Sequence, residues 1–305
     1  MMRYTIVGDW GTSRLRLFRL EAGAVTDRRD GPGIAALPDT PEAVLRAAIA
    51  PWRDDGPPAS ISLCGMIGSR NGWRDVPYVA CPADAAAWAA GAARLDFDGS
   101  EVAIMPGLAC ADARGVPDVM RGEETQIFGA MALDPALGRG RHRIALPGTH
   151  GKWAEVEDGA VRGFRTYLTG ELFALLRDHS TLARAGAGPA EAPDEAVAAE
   201  RAGFAAGLAE AEATPLAGAL FQTRSRQLRE ARSQAWALGF LSGLVIGAEV
   251  AAATAEPQAG AVMLIGDPAL AGRYAEALAR RGLATHLGDG DACARAGLAL
   301  WESLT

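Results

Sequence analysis

Aromatic residues, cysteines and runs of like charge are scarce in this sequence. Aromatic residues make up 6% of its 305 positions, and the four cysteines, Cys64, Cys81, Cys110 and Cys293, show neither a CxxC pair nor Cys/His metal spacing. Such cysteines argue against a metal site and favour a reduced, cytoplasmic setting. The formal net charge is -7 without any basic run, which argues against a nucleic-acid or anionic-membrane partner.

Long hydrophobic runs are also lacking. The longest uncharged run, Ser233–Ala248, has 16 residues and is closed by Glu249, whereas a membrane span needs about 20. Its glycines at four-residue spacing, Gly239, Gly243 and Gly247, form a pattern that can pair membrane helices. We interpret the run instead as a buried helix that packs closely against a neighbouring element.

The amino end carries a motif that places an acid, a glycine and two hydroxyls at one turn. Asp9-Trp10-Gly11-Thr12-Ser13 lies between the apolar run Tyr4–Gly8 and Arg14–Leu20, in which charged and apolar residues alternate. This pattern predicts a strand, a tight turn and a second strand, with positive φ at Gly11. Amides and hydroxyls at such a turn can hold phosphate oxygens, and Asp9 can hold a hydrated Mg²⁺. An ordinary hairpin turn is the alternative.

A second stretch repeats the motif and favours phosphate binding. Leu146-Pro147-Gly148-Thr149-His150 again carries Gly-Thr after a short apolar run, and a strand-like stretch and a turn follow. Gly148 lies 137 residues after Gly11, and Gly159 in the following turn lies 136 residues after its counterpart Gly23. Repetition at this long period indicates an internal duplication. Two such hairpins could hold the two ends of a triphosphate.

Patterns along the rest of the chain predict an α/β protein. The length suffices for two domains with separate cores, and much of the 49% hydrophobic content is alanine, which suits helices. The predicted strands include Ala24–Arg28, Ile61–Leu63, Val102–Met105 and Gly260–Ile265. The predicted helices are Ala43–Trp52, Ala83–Ala93, Ile127–Ala132, Leu172–Arg177, Gly203–Ala211, Thr223–Ala253 and Ala269–Arg281.

A loop rich in hydrogen-bond donors follows the strand predicted at Ile61–Leu63. The run Cys64–Trp73 combines three glycines with Ser69, Arg70 and Asn71. Ligands of α/β sheets bind beyond the ends of strands, and Arg70 could take a substrate carboxylate. A flexible connection explains the loop equally well.

Acids gather where the helix Ile127–Ala132 is predicted to begin. Asp118, Glu123 and Glu124 lie there together with Arg121. Acids at a helix amino end often only complement the helix dipole. A carboxylate beside a substrate hydroxyl can instead act as the base in phosphoryl transfer. Both explanations stay open.

The second half contains one more turn of this kind. Gly266-Asp267-Pro268 connects the last predicted strand to the helix Ala269–Arg281. Such a turn suits a nucleotide base or ribose, and it is also an ordinary connection in α/β proteins. The sequence favours neither explanation.

Together these motifs resemble one family. Duplicated halves that each open on a hairpin with Gly-Thr in its turn resemble the actin, hexokinase and sugar-kinase superfamily, and more narrowly the 2-dehydro-3-deoxygalactonokinases. The matching stretches are Val7–Ser13, Gly65–Trp73, Asp118–Gln126, Leu146–Trp153 and Phe164–Glu171, extended by Gly243–Glu249. Gly266-Asp267 departs from the paired glycines common at the adenosine site of the superfamily.

The resemblance implies a fold, a reaction and a setting. The fold would be α/β with two RNase H-like, actin/hexokinase-type domains, residues 1–138 and 139–305, and a nucleotide cleft between them. The reaction would be ATP-dependent phosphorylation of 2-dehydro-3-deoxy-D-galactonate at its 6-hydroxyl in galactonate breakdown, with Mg²⁺. The partner would be a small sugar acid rather than nucleic acid or a membrane, the location cytoplasmic, and a homodimer is a possible assembly.

The resemblance also implies roles for particular residues. Asp9 would lie near Mg²⁺, and Asp118, Glu123 and Glu124 are the candidates for the base. The nucleotide would contact Gly11, Thr12, Ser13, Gly148, Thr149, His150, Lys152 and Gly266. The sugar acid would contact Gly65, Met66, Gly68, Ser69, Arg70, Trp73, Arg121, Arg165, Thr169 and Glu171, with Arg70, Arg121 or Arg165 holding its carboxylate.

Two other functions fit the same sequence. One is a kinase for another sugar acid, such as 2-dehydro-3-deoxy-D-gluconate, because the two C4 epimers differ only in the position of one hydroxyl. The other is a non-catalytic nucleotide-sensing protein on the same scaffold. Asp9, Glu123 and Glu124 argue against a sensor, since a protein that only binds has no need of a base.

Overall fold

The computed structural model describes residues 4–182, 184, 192–256 and 260–305. Its strands are β1 (Tyr4–Trp10), β2 (Arg14–Glu21), β3 (Ala24–Pro32), β4 (Ser60–Cys64), β5 (Val79–Ala80), β6 (Ala93–Phe97), β7 (Ser100–Ile104), β8 (Leu108–Ala111), β9 (Pro117–Met120), β10 (Arg141–Leu146), β11 (Gly151–Glu157), β12 (Ala160–Tyr167), β13 (Val262–Gly266) and β14 (Thr285–Asp289). Its helices are α1 (Pro41–Arg53), α2 (Ala85–Ala90), α3 (Glu123–Leu133), α4 (Thr169–His179), α5 (Pro193–Ala213), α6 (Leu216–Ala219), α7 (Gln222–Glu230), α8 (Gln234–Ala253), α9 (Pro268–Arg280) and α10 (Gly290–Leu304). The predicted α/β class is confirmed.

The first sheet begins with the predicted amino-terminal hairpin. Strands β1, β2 and β3 form an antiparallel meander, β4 pairs parallel with β1, and the sheet order is β3-β2-β1-β4-β7-β6. Leu15 and Leu17 are fully buried on β2, whereas Arg14 is exposed. The alternation of apolar and charged residues therefore orients this strand as predicted.

Helix α1 completes the core around these strands. The Thr40 side chain caps its amino end by accepting from the Ala43 amide at 3.3 Å, as the Thr-Pro sequence predicts. Leu45, Ile49 and Trp52 are buried in one cluster with apolar residues of β1, β2, β4 and β7. Burial of this apolar face holds the helix against the sheet.

The second sheet repeats the order of the first five strands of the first sheet. Its strands are ordered β12-β11-β10-β13-β14, so that β10, β11 and β12 correspond to β1, β2 and β3. The turns at the matching hairpin ends also agree, because Ala22 and Gly23 have φ of 50° and 81°, and Asp158 and Gly159 have φ of 49° and 79°. Consecutive positive φ values are typical of a tight hairpin turn. The predicted duplication is confirmed at the level of topology.

Helix α8 is long and apolar enough to cross a membrane by length and composition alone, and it is the one such helix among the described residues. It is largely buried and packs against α5. A Cβ on Gly239 would lie 2.0 Å from the Glu200 carbonyl oxygen, and one on Gly243 would lie 2.3 Å from that of Phe204. The two backbones thus touch through glycine, which confirms our interpretation as a closely packed buried helix.

The chain divides into two compact units. The first unit comprises the chain up to Ile144, Ala154–Phe164 and Gly288–Thr305, and the second comprises Ala145–Trp153 and Arg165–Leu287. A single domain boundary at 138/139 remains a prediction.

Several predicted elements differ from the structure. Helix α2 spans only Ala85–Ala90, because the chain turns at Gly91 and β6 begins at Ala93. The predicted helix Thr223–Ala253 is broken into α7 and α8 by Ala231, whose φ of 53° is left-handed. The short strands β5, β8 and β9 form a third sheet that the sequence patterns did not indicate.

Candidate active site

Asp9 lies near the end of β1 and faces charged groups of its own unit. It is the register partner of Arg16 on β2 and of Cys64 on β4. Its carboxylate forms an ion pair with Arg16, which also pairs with Asp291 at the start of α10. Burial raises the pKa of Asp9 above its ordinary value, and the Arg16 guanidinium opposes that rise. Arg16 is thus the direct electrostatic partner of Asp9.

Two glycines allow the chain to pass close to Asp9. Gly65 has φ of 92°, and a Cβ there would lie 2.8 Å from the Trp10 carbonyl oxygen and 3.1 Å from Asp9 Oδ1. Gly122 has φ of 109°, and a Cβ on it would lie 3.2 Å from the Cα of Gly65. Positive φ and this crowding both require glycine. The segments that follow β4 and β9 therefore meet beside Asp9.

The first turn presents its hydroxyls outward. Thr12 and Ser13 are exposed, and the Gly11 amide closes the turn by donating to the Arg14 carbonyl oxygen at 2.9 Å. The positive φ predicted at Gly11 is wrong, since the left-handed glycines of the chain do not include it. The close approach instead belongs to Gly33, whose Cβ would lie 2.3 Å from the Thr12 carbonyl oxygen.

The three candidate bases occupy different surroundings. Asp118 lies on β9 opposite Cys110, and its carboxylate accepts from the Val119 amide at 2.8 Å. Glu124 is fully buried and accepts from the Gly122 amide at 2.7 Å and from the Thr125 hydroxyl at 3.1 Å. Burial raises the pKa of Glu124 to about 8, and the neighbouring Glu123 adds to the rise.

Glu123 is the acid placed near Asp9 without being fully buried. Its carboxylate is close enough to contribute to the raised pKa of Asp9, and its Oε2 accepts from the Arg121 amide at 3.1 Å. It begins α3, so that the helix fixes its backbone. Of the three acids, Glu123 is therefore the one with both partial exposure and a position beside Asp9.

The predicted sugar-acid residues of the first unit fall into three groups. Ser69, Arg70 and Arg121 line one pocket of about 500 Å³ with Val76 and Tyr78. Trp73 packs edge-on against Phe97 with ring centres 5.4 Å apart, so its ring belongs to the core. Three further residues form the turn directly after β4: Gly65, Met66 and Gly68. Contact of these residues with a substrate remains a prediction.

The backbone of the second turn is hydrogen-bonded by the single lysine of the chain. Lys152 is 4% exposed, and its Nζ donates to the His150 carbonyl oxygen at 2.8 Å. Thr149 and His150 are exposed, and the His150 ring pairs with Glu171 on α4. Gly148 has open space around its Cβ position. The turn thus has an ordered backbone and an open outer face.

A buried carboxylate joins the elements around this turn. Trp153 Nε1 donates to Glu249 Oε1 at 2.7 Å, and the Tyr274 hydroxyl donates to Oε2 at 2.6 Å. The Thr169 side chain, at the start of α4, hydrogen-bonds the same carboxylate. Burial raises the pKa of Glu249, and these donors oppose the rise. Glu249 therefore ties β11, α4, α8 and α9 together.

A pocket of about 450 Å³ lies beside the second turn within the second unit. Gly148, Thr169 and Asp267 line it, together with apolar side chains of α8 and α9. Gly266 directly precedes the lining residue Asp267 and has a φ of 150° and a Cβ position 3.5 Å from the Pro147 carbonyl oxygen. The structure thus brings Gly148, Thr149, His150, Lys152, Thr169, Glu171 and Gly266 together. Arg165 lies on β12 and is already engaged in an interaction.

Some residues of these sites were missed by the sequence patterns. Arg16 was not among the predicted site residues, although the register brings it opposite Asp9. Glu249 was noted only as the end of an uncharged run and of the Gly243–Glu249 stretch that extends the resemblance. A lone acid in an otherwise apolar buried helix could have indicated a buried, hydrogen-bonded carboxylate. Arg273, which donates to the Ser242 hydroxyl at 2.9 Å and lines the second-unit pocket, carried no signal.

The residues around Asp9 fit one kind of metal site. Among the residues that the structure describes, no group of three His, Cys, Asp or Glu could hold a metal ion. Mg²⁺ in phosphoryl-transfer sites is held by one or two carboxylates together with phosphates and waters, not by a protein cage. Asp9 supplies such a carboxylate beside a turn with exposed hydroxyls, so the donor set fits Mg²⁺ bound together with phosphate.

The fold also occurs in other proteins. Component A of the (R)-2-hydroxyglutaryl-CoA dehydratase of Acidaminococcus fermentans matches with a TM-score of 0.51 at 13% identity, covering 99% of each chain, which shows the fold alone. The repeated sheet order and the two Gly-Thr hairpins assign this chain to the two-domain ATPase fold of the actin/hexokinase type.

Comparison of sequences narrows this class to one family. The 2-keto-3-deoxy-galactonokinase family profile matches residues 9–301. The chain is 33% identical to the 2-dehydro-3-deoxygalactonokinase of Escherichia coli, over 97% of this chain and 96% of that protein. It is 38% identical to a Rhizobium meliloti protein named "Probable 2-dehydro-3-deoxygalactonokinase", over 97% and 95%. The chain belongs to the 2-keto-3-deoxy-galactonokinase family.

A solved structure agrees with this assignment. A crystal structure of a Sinorhizobium meliloti protein, whose name places it among the same kinases, matches with a TM-score of 0.84 at 36% identity. The match covers 98% of this chain and 96% of that chain. Fold and sequence therefore assign the same family over nearly the whole length.

Proposed function

We propose that the protein transfers the γ-phosphoryl group of ATP to the 6-hydroxyl of 2-dehydro-3-deoxy-D-galactonate, releasing ADP and the 6-phosphate. The family and the names of its relatives support this substrate. One observation supports the chemistry: the carboxylate of Glu123 is partly exposed and lies near Asp9 at the start of α3. A sugar kinase needs one acid near the metal and one near the acceptor hydroxyl.

Asp9 is the residue that would hold Mg²⁺. Bound there with the phosphates of ATP, the ion would neutralise charge that develops on the transferred group. Arg16 opposes the rise that burial causes in the pKa of Asp9. The amide of Gly11 is used within the turn, so Thr12 and Ser13 would contact phosphate oxygens through their hydroxyls.

Glu123 is the group that would accept the proton of the 6-hydroxyl. A base must be ionised and reachable at neutral pH. Glu124 meets neither condition, because it is fully buried and its pKa is about 8. The carboxylate of Asp118 lies on the third sheet beside Val119. We therefore assign the role of base to Glu123. Glu124 instead holds the backbone at Gly122 by accepting a hydrogen bond from its amide.

The nucleotide would use residues of the second unit. Gly148, Thr149 and His150 offer an open turn for phosphate oxygens, and the Lys152 ammonium lies directly behind it. The 450 Å³ pocket combines apolar side chains of α4, α8 and α9 with charged groups such as Glu200 and Arg273, as suits a nucleoside. Gly266, which directly precedes the lining residue Asp267, would contact the nucleotide there.

The same reasoning assigns a setting. All four cysteines are free thiols, which fits a reducing cytoplasm. A kinase of a small metabolite would work there without nucleic acid or membrane, and a homodimer is the assembly to examine.

The test is ADP release by the purified protein with Mg²⁺ and ATP. Three samples are compared: 2-dehydro-3-deoxy-D-galactonate, its gluconate epimer and no sugar acid. Turnover that strongly favours the galactonate compound supports the proposal. Equal or reversed preference keeps the kinase but changes its substrate. Folded protein that binds ATP and releases no ADP with either acid favours a nucleotide sensor.

A further inference from the structure

We propose that Arg121, with the hydroxyl of Ser69, binds the carboxylate of the sugar acid in the 500 Å³ pocket of the first unit. The proposal rests on the proposed function and deepens it by choosing among the arginines. Arg121 follows β9 directly and precedes Gly122 and Glu123. Its guanidinium, Ser69 and Tyr78 all line the pocket.

The guanidinium of Arg121 is buried with unused donors. The residue is 9% exposed, and its Nη2 donates to the Val76 carbonyl oxygen at 2.7 Å. Its Nε and Nη1 have no hydrogen-bond partner among the described residues. A buried charged donor without a partner is costly, so two such donors on one side chain indicate a site that a ligand completes.

Ser69 supplies a second, independent donor at the same pocket. Its Oγ is buried and also lacks a partner in the part of the chain that the structure describes. A carboxylate binds a guanidinium through two adjacent nitrogens, here Nη2 through its second hydrogen together with Nε or Nη1, and a hydroxyl can add a further hydrogen bond. The unused donors therefore match a carboxylate better than a neutral hydroxyl group.

Tyr78 covers the guanidinium in this structure. Its ring centre lies 4.3 Å from the central carbon of the Arg121 guanidinium, and the residue is 42% exposed. A ring over a guanidinium gives a modest cation–π attraction, which is weaker than a charge-assisted bidentate hydrogen bond. Rotation of the exposed ring would widen the pocket beside the guanidinium for a carboxylate.

The other two arginines are less suited to this role. The Arg70 side chain is 91% exposed, and its nearest acid, Asp75, lies 3.9 Å away. Water and salt screen a charge in that position, so it contributes little affinity. Arg165 lies in the second unit and already has an interaction partner. Burial thus distinguishes Arg121 from Arg70, and its unused donors distinguish it from Arg165.

The experiment measures how strongly each variant distinguishes charge on the substrate. Wild type, Arg121→Gln and Arg121→Lys are assayed for kcat/KM with 2-dehydro-3-deoxy-D-galactonate and with its neutral carboxamide. Wild type is expected to prefer the acid by roughly 30-fold or more, the usual effect of a buried charged partner. In Arg121→Gln that ratio falls to about one, and Arg121→Lys gives an intermediate ratio because it keeps the charge without the fork.

Other variants separate recognition from structure. Arg74→Gln, an exposed arginine of the same loop, serves as the matched control and keeps the wild-type ratio. Arg70→Gln changes the ratio only a few-fold. If Arg121→Gln lowers kcat/KM equally for acid and amide, Arg121 is merely structural and the proposal is wrong. If Arg121→Gln does not fold, Ser69→Ala decides, since it should lower the ratio without removing the Val76 contact.

A failure of the proposed function gives a different result. Wild type would then turn over neither the acid nor the amide. Calorimetric binding of the acid still tests Arg121: loss of binding in Arg121→Gln but not in Arg74→Gln supports the carboxylate site, and unchanged binding overturns it.

Discussion

Arg16 and Asp9 form an ion pair across the first hairpin, and Arg16 reaches Asp291 with its other nitrogen. The side chains of Arg16, Asp9 and Asp291 are all partly buried. The one guanidinium of Arg16 lies between two carboxylates that would otherwise repel each other. Strand β1 fixes the position of Asp9, and β2 carries the Arg16 guanidinium that pairs with its carboxylate. The pairing links the proposed magnesium ligand to the amino end of α10.

We expect Arg16→Gln to destabilise the fold by about 1–3 kcal/mol, because two partly buried carboxylates lose their partner. Urea unfolding at pH 7 measures this. Arg28→Gln is the matched control, since Arg28 reaches the same Asp291 at 3.3 Å from a more exposed position and should change stability by about 0–1 kcal/mol. Equal effects of both substitutions would show that the Asp9 pairing contributes nothing of its own.

Glu123→Gln should lower kcat on the order of 100-fold or more, because an amide cannot accept the proton of the acceptor hydroxyl. Asp118→Asn should lower kcat much less, since we place that acid away from the base position. ADP release at saturating ATP and sugar acid compares the two, with thermal unfolding as a check of folding. A larger loss in Asp118→Asn would reverse the assignment of the base.

Glu124 makes stability depend on pH. Its pKa of about 8 in the folded protein lies above the ordinary value of 4.5, so the folded state holds this proton more tightly than the unfolded state. Its contribution is therefore most favourable below about pH 4.5 and is lost as the pH rises towards and through 8. Glu124→Gln removes the titration, and its melting temperature should fall less than that of wild type between pH 6 and 9. Parallel curves for both proteins would contradict this.

Glu249→Gln should weaken ATP binding about 10-fold. The side chain keeps its shape, but its one carbonyl oxygen cannot accept from Trp153 and Tyr274 at both former positions. The pocket wall at Thr169 and Tyr274 then loses its fixed position. Calorimetry with a non-hydrolysable ATP analogue measures the affinity, and Tyr274→Phe, which removes one donor, should give a smaller loss. Lower stability with unchanged affinity would make Glu249 a purely structural residue.

Most of the fold could be predicted because its determinants are local. Alternation at Arg14–Leu20 and the Thr40-Pro41 cap specify their elements within a few residues. The sheet of β5, β8 and β9 was missed because strands of two to four residues are too short for a period to show. The break between α7 and α8 was missed because alanine is a good helix former. Nothing in the sequence marks Ala231 as the residue that adopts a left-handed conformation.

The candidate site was only partly predictable. The two Gly-Thr turns could be found because they repeat within the sequence. The choice among Asp118, Glu123 and Glu124 depends on burial, which differs between adjacent residues of one helix turn and leaves no trace in composition. The choice of Arg121 over Arg70 likewise depends on which guanidinium the fold encloses. The Arg16–Asp9 pair arises from strand register, which the sequence specifies only through the whole hairpin.

Because the chain has a single lysine, a lysine-specific reagent can label the second turn selectively. Lysine-directed acylating reagents have one side-chain amine to modify, and that amine lies behind His150 where solvent hardly reaches it. The rate of acylation therefore reports how often the turn opens, without any engineered label. A nucleotide that orders the turn would slow the reaction, so mass spectrometry of the native protein can follow occupancy of this turn at Lys152.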